Sequence, residues 1–278
     1  MSSQWQCVPS LTSAERVAVL GLIHHTEAIL EREAIDDSRR RSVVHGWSGE
    51  HWLQHEDGKV VGYANVTDGA IPSVEMVGGG IDDVLLRALL EKHGEIDWWQ
   101  RDTRSRPANA IRTLQLMSRS LVDLPPVEVS QGSIGAFEPG VHDDAWLAQN
   151  NAAFADHPEQ GTWRKADLQL RLEEPWFDPS GFLLLHIDGQ LAASCWTRVH
   201  ELYRERFGEI YVLTVGPEFQ GRGLGRTMLG AGLLALRRKG VLRAELFVDA
   251  DNSPAVALYS AMGFTVQRED QLLRYVAP

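Results

Sequence analysis

The stretch Leu213-Thr-Val-Gly-Pro-Glu-Phe-Gln-Gly-Arg-Gly-Leu-Gly-Arg226 decides the reading of this 278-residue chain. Alternating apolar residues up to Val215 make a strand, Gly216-Pro217 breaks it, and a glycine-rich loop opens into an apolar helix. Gly221, Gly223 and Gly225, with Arg222 and Leu224 between them and Arg226 after, suit a loop whose amides face an anion. The spacing is G-x-G-x-G, so neither the dinucleotide fingerprint G-x-G-x-x-G nor the G-K-[ST] of a P-loop is present. A phosphate or pyrophosphate is the expected guest; taken alone, so short a loop also fits a surface turn.

Working outward, 44% apolar and 23% charged residues describe a soluble globular protein long enough for two ordinary domains or one large one. Net charge is −11, and both halves are acidic. Nucleic acid and anionic membranes are therefore not expected as partners; small-molecule substrates are, on a monomer. No run of eighteen apolar residues stands in the chain, and Met-Ser-Ser-Gln-Trp-Gln-Cys lacks the basic and apolar regions of a secretory signal, so the cytoplasm is expected. Cys7 and Cys195 make neither a disulfide framework nor a zinc pattern, and no metal is expected. Cys195, within Leu191–Trp196, reads as a small buried hydrophobe.

Residues 11–33 carry a helical pattern with Thr12 or Ser13 as cap and Val17, Leu20, Ile23 and Ile29 as apolar face; Arg39-Arg40-Arg41 reads as a solvated helix face. Glu50–His55 and Lys59–Val66 flank Asp57-Gly58 as a hairpin, followed by a strand at Ser73–Val77, a helix at 82–93, then Asp97-Trp-Trp99, a polar segment to Asn109 and a strand-like run at Leu114–Leu121. Pro125-Pro126 is the expected linker between domains 1–125 and 126–278. The second half repeats the order: helix 143–154, hairpin 181–199 about Asp188-Gly189, strand 209–215, the glycine loop, helix 224–239, strand 241–248, helix 252–262 and a closing hairpin of 264–268 with 271–276. The expected fold class is α+β: two tandem modules, each a central mixed sheet flanked by helices.

Gln220-Gly-Arg-Gly-Leu-Gly-Arg226, Asp251-Asn252 at a helix start, and Ala257-Leu-Tyr-Ser-Ala-Met-Gly-Phe264 together resemble the motifs of the GCN5-related N-acetyltransferase family. Asn150–Phe154, His157–Gly161, Trp176–Pro179, Trp196–His200 and Gly208–Val212 are similar to a tandem branch of that family. The resemblance covers nearly all of 140–270 and implies acetyl-coenzyme A as cosubstrate. It also implies, as acceptor, the cysteinyl amine of a cysteinyl-glucosaminyl-inositol.

By the same resemblance, Leu213, Thr214 and Val215 offer backbone groups to the pantetheine arm. Gln220, Gly221, Arg222, Gly223, Leu224, Gly225 and Arg226 wrap the pyrophosphate. Asn252, with Ser253, Pro254, Ala255, Val256 and Ala257, holds the pantetheine or adenine end. Glu209 is the candidate base and Tyr259 the candidate proton donor to the departing thiolate. Glu159, Arg198, Phe247 and Asp37 (or its neighbour Asp36) are the implied acceptor contacts, with Glu209 beside them. His157 and His200 are not required as a catalytic pair.

The chain departs from the family at three places. Arg198 and Phe247 replace a lysine and a tyrosine, which leaves room for another amine-bearing acceptor. In the first half, Gly78-Gly-Gly-Ile-Asp-Asp83 stands where a second coenzyme A loop belongs, with carboxylates that would compete with pyrophosphate for the helix amides. A first half that walls the substrate cleft is the expectation. A coenzyme A-binding module without catalysis is the remaining alternative, and Glu209 and Tyr259 speak against it.

Overall fold

The structure, a computed structural model, describes residues 4–30, 32–78, 80–103, 107–155, 157, 161–202 and 205–278. Along the first half run β1 (Gln4–Val8), α1 (Ser13–Leu30), α2 (Asp37–His45), β2 (Glu50–Glu56), β3 (Lys59–Thr67), β4 (Ser73–Met76), α3 (Asp83–His93), β5 (Glu95–Gln100) and β6 (Ala110–Ser120). The second half adds β7 (Ser133–Ala136), α4 (Asp143–Ala153), α5 (Lys165–Leu172), β8 (Phe182–Ile187), β9 (Gln190–Leu202) and β10 (Glu205–Val215). It closes with α6 (Leu224–Arg238), β11 (Arg243–Asp249), α7 (Ser253–Ala261) and β12 (Thr265–Val276).

Two turns fix the register of both halves. Asp57 and Gly58 lie at φ 48° and 76°, and Asp188 and Gly189 at φ 50° and 79°. Two successive positive φ values give a hairpin turn whose twist matches the strands it joins. Glu56 accordingly pairs with Lys59, and Ile187 with Gln190. The contacts divide into two compact units, the first made of 1–116, 248–252 and 266–278, the second of 117–247 and 253–265.

In the first unit the strand order is β1-β2-β3-β4-β5-β12, antiparallel except for β4 beside β5, which α3 connects. Leu85 and Leu89 of α3 pack with Ile96 and Trp98 of β5, and α1 packs Val19 and Ile23 with Leu53 and Tyr63. Thr12 rather than Ser13 caps α1, exchanging hydrogen bonds with Glu15.

Three sequence expectations fail here, each for a physical reason. The buried stripe of α1 is Val19, Ile23 and Glu27, four residues apart, whereas Val17 and Ile29 are exposed. Glu27 is tolerated inside because it accepts the Ala34 amide and pairs with Arg40. Arg39 and Arg41 are not a solvated face but are buried, Arg39 against Asp36 and Glu75, Arg41 against Asp37. Finally, 265–276 is one strand and not a hairpin. The polar run that resembled a turn is paired instead: Asp270 takes Arg268 and the Asp102 amide, and Glu269 takes Gln115.

The second unit repeats the plan as β11-β10-β9-β8-β7, with β10 parallel to β11 across α6 and the other pairs antiparallel. One face is an aromatic core of Phe137, Trp146, Trp163, Phe182 and Trp196 with Val212. Phe182 stacks on Trp196 at 4.3 Å, and Trp146 meets both rings edge-on. Such aromatic pairs contribute about 0.5–1.5 kcal/mol each beyond their burial. On the other face α6 lies close to the sheet: a Cβ at Gly232 would meet the Cys195 sulfur at 2.4 Å, and one at Gly208 would meet Leu236 at 2.6 Å. Cys195 is fully buried, as its apolar setting requires, and burial pushes its thiol up to about 12. Among the described residues no helix is long and apolar enough to cross a membrane.

Candidate active site

Strand β10 organises the second unit. Its register with β9 slips between Ile210 and Val212, a bulge at Tyr211. A bulge puts two successive side chains on one face. Tyr211 packs on Trp176 and Trp196, and Val212 enters the same aromatic core, while Ile210 faces Gly232 of α6. Beyond the bulge, Thr214 bonds Ser194 and Gln149 on the α4 side, and Val215 turns toward Gly225 at the start of α6.

On its other edge β10 pairs with β11 at Gly208/Ala244 and Glu209/Glu245. Both strands continue, to Val215 and Asp249, beyond that register. Gly216 donates its amide to Ala192 on the β9 side, so alternation turns the backbone groups of Leu213 and Val215 toward the β11 side. Backbone donors and acceptors there suit an extended, amide-bearing ligand.

The strand leads through a short turn at 217–219 into the glycine loop. Gly221 and Gly223 have φ 73° and 77°, a region costly for other residues, and Gly223 is the N-cap of α6 without a side-chain capping bond. The first turn of α6 carries no acidic residue. In the first unit the corresponding helix α3 is closed: Asp82 accepts the Val84 and Leu85 amides at 2.9 and 2.8 Å. The two helix starts thus differ in whether a carboxylate already holds the amides that an anion would need. Gly225 allows close approach instead; a Cβ there would meet Leu258 of α7 at 3.2 Å.

Helix α7 ends as its motif requires. Gly263 takes φ 84°, Phe264 donates its amide to Tyr259 O, and the two rings meet at 6.0 Å. Tyr259 is buried, and burial first, then the neighbouring Cys195, raises its hydroxyl pKa. Asn252 precedes the helix, and Ser253, Pro254, Ala255, Val256 and Ala257 form its opening turns.

Glu209 lies at the last β10–β11 register pair, opposite Arg198 of β9. Its Oε2 is 2.6 Å from His200 Nε2, and both side chains are largely buried. The His200 ring lies parallel to Phe207 at 4.7 Å, and Arg243 covers that phenylalanine at 4.9 Å while pairing with Glu245 and Glu205. Arg198 stacks over Trp176 at 4.7 Å, and Arg171 lies over Trp163 at 3.8 Å while donating to Tyr211 Oη. A partly exposed Phe247 stands on β11 two residues beyond Glu245. Arg198, Glu209 and the loop therefore lie on paired or continuous elements of one unit. Asp37 lies in the first unit, ion-paired to Arg41 beside Asp36, the N-cap of α2. Glu159 lies outside the described residues.

Sequence reasoning did not connect His200 with Glu209. Once the two strands are paired in register, Phe207 falls opposite His200 and Glu209 opposite Arg198, which sets His200 diagonal to Glu209.

This constellation is that of the acetyltransferases of the GNAT class, and the profile of the Acetyltransferase (GNAT) family matches residues 146–264. A tandem GNAT protein from the clavulanic acid biosynthesis pathway superposes with a TM-score of 0.67 at 15% identity over 99% of both chains, showing the two-module fold. The mycothiol acetyltransferase of Streptomyces griseus is 38% identical over 95% of this chain and 93% of its own. That of Thermomonospora curvata is 42% identical over 81% and 82%. The chain belongs to the mycothiol acetyltransferase family.

Proposed function

We propose that this enzyme transfers the acetyl group of acetyl-coenzyme A to the cysteinyl amine of 1D-myo-inositol 2-(L-cysteinylamino)-2-deoxy-glucopyranoside, the final step of mycothiol biosynthesis. The observation that carries this reading is the placement of Glu209. It stands where β10 leaves its register with β11, on the strand that runs straight into the glycine loop. The likeness to mycothiol acetyltransferases along nearly the whole chain supports the acceptor.

An α-amine with a pKa of roughly 8 is mostly protonated at neutral pH. Glu209 takes its excess proton, directly or through a water. The neutral nitrogen attacks the thioester carbonyl, and the oxyanion is held by the Val215 amide or its neighbour's. The C–S bond then breaks as the amide C–N bond is kept; Tyr259 supplies a proton to the leaving thiolate and is reprotonated by the one the attacking nitrogen sheds on becoming an amide, while the proton on Glu209 passes to solvent. The pyrophosphate sits on the amides of 220–226, the pantetheine along 213–215, and the pantetheine or adenine end against Asn252 and the start of α7. Arg198, Glu159, Phe247 and Asp37 are proposed to meet the sugar and inositol hydroxyls. The first unit, whose α3 start Asp82 already caps, is proposed not to hold coenzyme A tightly.

Incubation with acetyl-coenzyme A and the cysteinyl acceptor, followed by mass spectrometry with hydroxylamine treatment, tests the reading. The expected product is singly acetylated and resistant to hydroxylamine, as an amide is and a thioester is not. Turnover of other amino sugars but not of this acceptor would instead assign the departures at Arg198 and Phe247 to a different substrate.

A further inference from the structure

We infer that His200 is a positioning residue for the base: its Nε2–H holds one oxygen of Glu209, fixing the carboxylate and leaving Oε1 to receive the proton from the acceptor amine. This rests on Glu209 being the base. The bond is 2.6 Å long, and with Glu209 ionised, as a base must be, Nε2–H is the donor because a carboxylate only accepts. Both side chains are largely buried, 7% and 14% exposed, where a hydrogen bond to a charged group is strong and a misplaced one costly.

The imidazole is itself fixed. It lies 4.7 Å from the Phe207 ring at an interplanar angle of 4°, and the far face of that ring is covered by Arg243 at 4.9 Å. Arg243 also meets Glu245, the residue in register with Glu209 across β10 and β11. Two carboxylates opposite each other on paired strands repel. Here each has its own donor, Glu245 the guanidinium and Glu209 the imidazole. The layered Arg243, Phe207 and His200 side chains thus hold two like charges apart, with His200 as the layer that touches the reacting group.

The experiment is a double-mutant cycle on the full chain with His200→Phe and Glu209→Gln, with His200→Gln as the conservative variant. Phenylalanine keeps the ring against Phe207 and removes the donor; glutamine returns an N–H near the Nε2 position. His200→Phe is expected to lower kcat about 10- to 100-fold, the scale of a hydrogen bond to a charged group, with KM for acetyl-coenzyme A unchanged. His200→Gln is expected to recover most of the rate, and His200→Phe to cost nothing further when added to Glu209→Gln.

If His200→Phe keeps wild-type kcat while Glu209→Gln is inactive, the positioning role is wrong and the base stands. If Glu209→Gln is fully active, the base reading falls and this inference with it. Should His200→Phe fail to fold, His200→Gln decides. Folded but as slow as Glu209→Gln, it overturns the role; near-wild-type kcat supports it.

Discussion

Replacing Glu209 by glutamine is expected to lower kcat/KM about 10²- to 10⁴-fold at neutral pH, the usual contribution of a positioned general base. Glutamine is nearly isosteric, and its carbonyl oxygen can still accept the His200 N–H that now lies 2.6 Å from Glu209 Oε2. The strand pairing of residue 209 with Arg198 and Glu245 is through the backbone and remains. Geometry is therefore kept and only the ability to take a proton is lost. The deficit should shrink as pH rises above roughly 8, because the acceptor amine then loses its proton unaided. Steady-state rates from pH 6 to 9 check this; a variant within threefold of wild type throughout would remove Glu209 from the base role.

Replacing Glu75 by alanine is expected to destabilise the first unit by about 3–5 kcal/mol, the cost of removing one partner of a buried ion pair. Glu75 is 1% exposed, pairs with Arg101 and Arg39, and accepts the Asp36 amide at 2.9 Å. Without its carboxyl, two guanidinium groups and the Asp36 amide remain inside with less to meet them. For a chain of this size the loss corresponds to about 10 °C in the first unit's melting transition. The wild-type pH dependence has a definite sign. Burial outweighs the arginines and pushes the Glu75 carboxyl from 4.5 up to about 6. Its share of stability is therefore full below about pH 4.5 and is lost as pH rises through about 6. Glutamine at 75, which does not titrate, should abolish that slope. An unchanged melting temperature in the alanine variant would show the carboxyl to be dispensable.

What was legible in the sequence follows from how local its causes are. The two Asp-Gly turns, the glycine loop and the Gly263 helix stop are set by backbone conformation within a few residues, and all stand where the sequence put them. The alternation of β10 was legible too, but its bulge at Tyr211 was not, because an extra residue is defined only against β9. The burial of α2 was hidden for a related reason. Its inward face carries Arg39 and Arg41, and a periodicity argument sees only apolar stripes, not arginines neutralised by acids such as Glu75, far away in sequence. His200 was passed over because its chemistry depends on a carboxylate nine residues away that only strand pairing brings into contact.

The central claim is that the loop of the second unit, and not its capped counterpart, holds the cosubstrate. The variant Gly223→Asp tests it cleanly. A Cβ at 223 meets nothing within 4 Å, and the fold already carries Asp57, Asp102 and Asp188 at positive φ, so an aspartate is sterically acceptable there. Its carboxylate would then stand at the start of α6 and repel the pyrophosphate. Calorimetric titration of acetyl-coenzyme A into wild type and Gly223→Asp is predicted to show one equivalent bound by the first and none by the second at the same concentrations. A full equivalent still bound by Gly223→Asp with wild-type affinity would contradict the account.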